Sequence, residues 1–127
     1  MKVIITETSE EMSQKAAELF EDRIRNKPDI VLGLATGGTP EDMYAILAKK
    51  CQEEGLDFSN VKTFNLDEYL GLGPEHPASF RRYLQERFVS QLPGLHAAHF
   101  IAGDAPDPQQ ECRRLARLLA RHPIDLA

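Results

Sequence analysis

The chain has 127 residues, of which 42% are hydrophobic and 28% charged, and a formal net charge of −5. That length fits one domain able to bury about two-thirds of its unfolded surface. An acidic balance without a basic arm or aromatic run argues against nucleic acid. No apolar stretch approaches the roughly 18 residues of a membrane span, so no membrane association is expected.

In chain order, Val3-Ile4-Ile5 predicts a first strand. Thr8-Ser9-Glu10-Glu11 reads as a capping box. Met12, Ala16, Leu19, Phe20 and Ile24 then recur at helical spacing through about Asn26. Ile30-Val31-Leu32 predicts a second strand, which runs into Thr36-Gly37-Gly38-Thr39. Pro40 fits the first position of a second helix, where its missing N–H would have had no partner. That helix turns Met43, Ile46 and Leu47 inward and ends near Gly55. Residues 61–64 (VKTF) predict a third strand, and a loop rich in Gly and Pro spans residues 71–77. A third helix sets Phe80, Tyr83, Leu84 and Phe88 on one face and stops before Pro93. His99-Phe100-Ile101 predicts a short strand. A fourth helix, from about Pro108 to Arg121, carries Cys112, Leu115 and Leu119. Residues 122–127 (HPIDLA) read as the beginning of another strand, so the chain reads as truncated. This alternation predicts a three-layer, Rossmann-like α/β fold, its mostly parallel sheet covered by helices on both faces.

Two segments carry chemistry. The first is residues 29–40 (DIVLGLATGGTP), a buried strand, a glycine turn and a helix start in immediate succession. Glycine permits positive φ and close backbone approach. N–H groups at a helix start, aided by the macrodipole, attract an anion. Thr36 and Thr39 add hydroxyl donors, and phosphate suits the arrangement. An ordinary strand-to-helix turn has the same local pattern, and neither a Walker loop nor G-x-G-x-x-G is present. The second segment is residues 61–69 (VKTFNLDEY), which brings Asn65, Asp67 and Glu68 to the end of a strand. In open α/β sheets the functional crevice lies beyond the carboxyl ends of the strands. Adjacent residues point opposite ways in extended chain, so at most one of Asp67 and Glu68 faces a given ligand. A carboxylate there can serve as a general base, a hydroxyl acceptor or a metal ligand; a solvated acidic turn is the plainer alternative.

Other residues read as structural. His76 fits a loop-fixing hydrogen bond. His96, His99 and His122 lack ligand spacing. Arg81, Arg82, Arg87, Arg113, Arg114, Arg117 and Arg121 fall mainly on the solvated faces of amphipathic helices. Tyr69 packs its loop. Cys51 and Cys112 are isolated and read as reduced thiols. The start, MKVIITETSEEM, lacks the long apolar core of a signal peptide, and a cytoplasmic location is expected.

Taken together, LGLATGGTP, FNLDEYLGL, the following residues 74–80 (PEHPASF) and GDAPD at 103–107 with Glu111-Cys112-Arg113 resemble the amino-terminal half of glucosamine-6-phosphate deaminases. The resemblance runs essentially from Met1 to Ala127 and implies one deaminase-like α/β domain of which residues 1–127 form the first half. It implies a hydrolase of C–N bonds that isomerises and deaminates glucosamine 6-phosphate to fructose 6-phosphate and ammonia, with no metal or organic cofactor. Thr36, Gly37, Gly38, Thr39, Asp67 and Glu68 would then contact the sugar phosphate. Asp67 matches the family's base, which moves a proton from C2 to C1 of the open-chain sugar through an enolamine, and Glu68 orients the loop. A carboxylate suits that step because burial can raise its pKa toward working pH. The ring-opening histidine of these enzymes lies in a G-x-G-x-[DN]-G-H-x-x-F-N-E type motif of the second half, absent from this sequence, so residues 1–127 alone are not expected to turn over substrate. A homo-oligomer is compatible with the family. Related 6-phosphogluconolactonases share the fold and a similar glycine loop, but their acidic motif usually reads DER where this chain has Asp67-Glu68-Tyr69. A sugar-phosphate lactonase and a non-catalytic sugar-phosphate-binding half-domain are the alternatives.

Overall fold

A computed structural model describes residues 2–127. Its helices and strands are α1 (Ser9–Asn26), β1 (Val31–Leu34), α2 (Glu41–Glu53), β2 (Lys62–Asn65), α3 (Phe80–Arg87), β3 (Ala97–His99) and α4 (Pro108–Arg121), with one 3-10 turn at Val89–Gln91. The strands form one parallel sheet in the order β1-β2-β3. The α/β expectation is met.

α1 begins at Thr8, whose hydroxyl accepts from the Glu11 N–H at 3.1 Å. The Glu11 carboxylate reaches back to the N–H of Glu7, one residue before the cap, instead of closing the box on Thr8 itself. Ala17, Phe20 and Ile24 form the buried stripe of α1 and pack with Leu32 and Leu34 of β1, with Met43, Tyr44 and Leu47 of α2, and with Leu84 and Phe88 at α3. Ile46 is only partly buried, and Tyr44 takes the inward position expected of it. Tyr44 stacks on Phe88 at 4.7 Å between ring centroids, an arrangement that stabilises aromatic pairs beyond area burial. α2 starts at Glu41, with Pro40 at its cap already in helical conformation.

All four residues of β1 are buried, as in a parallel strand covered on both faces. Side chains alternate across a sheet, so Leu32 and Leu34 face α1 and α2, while Gly33 faces the other way. A side chain at Gly33 would meet Ala127 at 2.9 Å, Leu66 at 3.0 Å and Ile124 at 3.3 Å. Phe64, in register with Gly33, shares that second face with His99, 4.7 Å away, and His99 stacks on His122 at the end of α4. Beyond α4 the chain returns to the free edge of β1. The Gly33 N–H donates to the Leu126 carbonyl at 2.8 Å, and Leu126 forms a parallel bridge with Leu32.

Three expectations need correction. Val3, Ile4 and Ile5 form no strand and are 67%, 50% and 90% exposed; β propensity makes a strand only where a neighbouring strand offers a ladder. The last strand is residues 97–99 instead of 99–101, because β2 pairs Lys62, Thr63 and Phe64 with Ala97, Ala98 and His99. On α4 the buried residue is Glu111, whereas Cys112 is exposed and Leu119 largely so.

Glu111 is buried because it has partners. Its carboxylate accepts from the Ala102 N–H at 2.9 Å and the Arg114 Nε at 2.8 Å, and Arg114 also donates to the Phe100 carbonyl. Arg114 foremost, with the Ala102 N–H, outweighs burial and holds the Glu111 carboxyl down at about 2. Gly103 follows directly. The Gly71 N–H donates to its carbonyl at 2.7 Å, and a Cβ on Gly103 would run into the Tyr69 carbonyl and lie 2.6 Å from that of Leu72. The connection after β2 thus packs backbone to backbone on the connection after β3.

Two outcomes are expected. A carboxyl whose folded pKa lies below its ordinary 4.5 contributes stability that is complete above that value and lost as the pH falls toward about 2. Urea unfolding at a series of pH values should therefore show a shallower acid loss for Glu111→Gln than for the unaltered chain; equal slopes would refute the assignment. Gly103→Ala should cost about 1–3 kcal/mol by overpacking and release the Gly71 amide to faster hydrogen exchange, whereas unchanged melting and exchange would show that the two loops separate freely.

Candidate functional site

Parallel pairing sets Leu34 of β1 opposite Asn65 of β2. Both strands end there, on neighbouring tracks about 4.8 Å apart. The glycine turn leaves from one track and Leu66-Asp67-Glu68 from the other. β1 is flanked by β2 on one side and by Leu126 on the other. The chain therefore reverses its direction of sheet growth at β1. In open α/β sheets the crevice at such a switch point, beyond the carboxyl ends of the strands, is where ligands bind.

The turn is open on its outer side. Gly37 has φ +104°, a conformation that favours glycine. Gly38 does not have positive φ, and a Cβ at either glycine would meet nothing within 4 Å. The glycine requirement for the turn thus falls on Gly37, while Gly38 keeps the outer space clear. Gly37, Gly38 and Thr39 are exposed and Thr36 partly so. Among the described residues, nothing accepts a hydrogen bond from the N–H of Gly37, Gly38 or Thr39. The carbonyls are tied down instead. Tyr44 donates to the Ala35 carbonyl and Tyr83 to the Gly37 carbonyl, each at 2.6 Å. Arg87 of α3 pairs with Glu41 at the start of α2, binding the same two helices together at the surface.

The two acidic residues have different settings. Asp67 is exposed; no hydrogen bond to its carboxylate is present among the described residues, and its backbone carbonyl accepts from the Asn65 side-chain amide at 2.9 Å. The other end of the Asn65 side chain accepts from the Ile101 N–H at 2.9 Å, so a buried asparagine locks the base of the Asp67 loop to the chain leaving β3. Glu68 turns the opposite way, as neighbouring side chains do. Its carboxylate accepts from Ser79 Oγ, from the N–H groups of Phe80 and Arg81, and from its neighbour Tyr69. Burial pushes the Glu68 carboxyl up, but these donors together hold it below the ordinary value. Glu68 thus caps the start of α3, where a negative charge meets the helix dipole, and ties the Asp67 loop to that helix.

The structural readings of the neighbours stand. His76 Nδ1 accepts from the Ala78 N–H at 3.1 Å, and Tyr69 packs on Phe80 at 4.7 Å between ring centroids. Local sequence does not mark Tyr44 and Tyr83 as site residues. The hydroxyls of Tyr44 and Tyr83 sit at positions a helical pattern assigns to the core, and nothing in local sequence tells which carbonyl they reach. Among the described residues no three His, Cys, Asp or Glu side chains gather as metal ligands, and no helix is long and apolar enough to cross a membrane.

Comparison with known proteins places this geometry in a family. A family profile described as glucosamine-6-phosphate isomerases/6-phosphogluconolactonase matches residues 5–126. The chain is 48% identical over 120 residues to glucosamine-6-phosphate deaminase 1 of Bacillus subtilis, covering 94% of this chain and 50% of that protein. It is 46% identical over 121 residues to the glucosamine-6-phosphate deaminase of Shouchella clausii, covering 94% and 49%. The chain thus spans about half the length of the curated relatives it matches. Among solved structures, a monomeric glucosamine-6-phosphate deaminase superposes with a TM-score of 0.88 at 43% identity, over 95% of this chain and 51% of its own. A 6-phosphogluconolactonase from Shewanella baltica shares the fold at a TM-score of 0.70 and 19% identity, over 93% of this chain and 50% of its own. With its profile match, its relatives and its superposed fold in agreement, this chain belongs to the glucosamine-6-phosphate isomerase/6-phosphogluconolactonase family.

Proposed function

We propose that residues 1–127 are the amino-terminal half of a single deaminase-like α/β domain that converts glucosamine 6-phosphate to fructose 6-phosphate and ammonia. The observation that carries this reading is the common end of β1 and β2, which sets an open glycine turn beside the loop of Asp67, with the switch point of the sheet on the other side of β1. Identity of 41–48% to proteins named as deaminases supports the substrate class. The lactonases share only the fold at this distance.

In this reading the backbone N–H groups of Gly37, Gly38 and Thr39, with the Thr36 and Thr39 hydroxyls, hold the sugar's phosphate. The start of α2 adds its dipole to the attraction. Asp67 accepts the proton from C2 of the open-chain aldose and returns it to C1. The C2–H electron pair becomes the C1–C2 double bond of an enolamine as the C1–O double bond opens and O1 takes up a proton; protonation at C1, with the nitrogen lone pair moving in, then leaves an imine at C2. Water adds there and ammonia departs, leaving the ketone of fructose 6-phosphate. Glu68 touches no reacting atom; it fixes the loop that carries Asp67. Ring opening requires a further acid–base group outside these residues. The reading includes a cytoplasmic setting and allows a homo-oligomer.

The phosphate site is tested with Gly38→Val. Its side chain points into open space, so melting should change little, within about 0.5 kcal/mol. By calorimetry on the full-length enzyme carrying this half, affinity for glucosamine 6-phosphate should fall at least about tenfold, as the loss of more than one charge-assisted hydrogen bond requires. Equal affinity of the unaltered enzyme for glucosamine and glucosamine 6-phosphate would remove the site altogether.

Asp67→Asn in the same enzyme keeps size and removes the base. Turnover should drop by at least about 10²-fold, the scale for a positioned acid–base group, with substrate affinity much less affected. Unaltered exchange of the C2 hydrogen with solvent in that variant would assign the proton transfer elsewhere.

A further inference from the structure

We infer that Tyr83 is a positioning residue for phosphate recognition, holding the Gly37–Gly38 peptide so that its N–H faces the anion. The inference rests on the reading of residues 36–39 as a phosphate loop and names the group that sets its polarity.

A trans peptide is planar, and its carbonyl and the following N–H point in opposite directions. Fixing the Gly37 carbonyl therefore fixes the Gly38 N–H. That carbonyl is fixed by the Tyr83 hydroxyl, 2.6 Å away, from a helix 46 residues further along the chain. The Gly38 N–H has no acceptor among the described residues, and a Cβ on Gly38 would meet nothing within 4 Å, so the residue has open space beside it. The geometry is repeated two residues earlier, where Tyr44 holds the Ala35 carbonyl and so directs the Thr36 N–H.

The clasp acts where the backbone is least constrained by itself. Gly37 carries φ +104° and has no Cβ to resist rotation about the bonds that flank the Gly37–Gly38 peptide. Flipped, the peptide would present a carbonyl oxygen to the phosphate and repel it. The ordered donor therefore depends on a hydroxyl held in place from α3. Tyr83 is itself held: Arg87, one turn on, lies over its ring at 5.9 Å and pairs with Glu41. Burial raises the Tyr83 hydroxyl above its ordinary pKa, so it stays a donor throughout the neutral range.

The test is Tyr83→Phe, which removes one oxygen and keeps the ring. Nuclear magnetic resonance titration of the isotopically labelled full-length enzyme carrying this half, with inorganic phosphate, glucosamine 6-phosphate and glucosamine, reads the Gly38 amide directly. In the unaltered enzyme, inorganic phosphate and glucosamine 6-phosphate should shift the Gly38 and Thr39 amides saturably. In Tyr83→Phe the affinity for both should fall about five- to tenfold, as expected for loss of one ordering hydrogen bond. The Gly38 amide should broaden from exchange between two peptide orientations, and the response to glucosamine should stay as it was. A purely structural tyrosine would lower the melting temperature and leave the preference for phosphorylated over free sugar unchanged; that result overturns the inference. Equal phosphate affinity in the two proteins overturns it while leaving the phosphate loop intact. No saturable shift in the unaltered enzyme removes the loop reading and this inference together.

Discussion

The parallel ladder between β1 and β2 is the constraint on which the rest of the site depends. Parallel strands exchange hydrogen bonds in a fixed, evenly spaced register, and here that register ends both strands at the pair Leu34 and Asn65. A slip by one residue would turn Leu32 and Leu34 away from the helices and carry the glycine turn away from the acidic loop. What holds the register is burial on both faces: Leu32 and Leu34 against α1 and α2 on one side, Gly33 under Ile124 and Ala127 on the other. Core packing and site geometry are thus one requirement, imposed on the same four residues of β1.

The loops beyond the ladder are held by single polar side chains, each satisfying backbone groups that no strand or helix reaches. Asn65 joins the Asp67 carbonyl to the Ile101 N–H. Glu68 caps α3. Glu111 takes the Ala102 N–H, and at the opposite end of β1 Asp125 takes the Val31 N–H while pairing with Lys27 at 2.7 Å. Buried backbone donors left without acceptors are costly, so these carboxylates and this amide do for the loops what the ladder does for the strands. Three of the four are acidic, and the Lys27 pairing foremost, with the Val31 N–H, keeps the Asp125 carboxyl below its ordinary range as well. Acid should loosen the loop edge of the sheet before its apolar core, because protonation removes acceptors and leaves the packing of α1 and α2 on β1 untouched.

A division of labour between adjacent residues follows from the same economy of contacts. Asp67 and Glu68 share a loop, yet one is exposed at the crevice and the other is turned inward onto a helix start. The inward carboxylate gives the outward one a fixed platform. The glycine turn is arranged in the same way: tyrosine hydroxyls hold its carbonyls, and among the described residues nothing takes the N–H groups of Gly37, Gly38 and Thr39.

Much of this was legible in the sequence, for physical reasons that can be named. Helical periodicity and caps placed α1 and α4 at their observed ends, since both signals are local. The apolar run entering the glycine turn located β1 and its loop, and the strand leading to Asp67 located β2, because a doubly buried strand and a φ-permissive turn leave their marks in residue type. Adjacency alone foretold that Asp67 and Glu68 would part. The tertiary structure decided what depends on a distant partner. It denied Val3-Ile4-Ile5 a strand, since a strand exists only beside another. It moved β3 by two residues, since pairing with β2 outranks local propensity. It buried Glu111 in place of its apolar neighbours, since Arg114 and the Ala102 N–H were there to receive it. It also gave the Tyr83 hydroxyl its carbonyl, because a hydrogen bond spanning 46 residues is set by how helices pack and by nothing in the residues beside it.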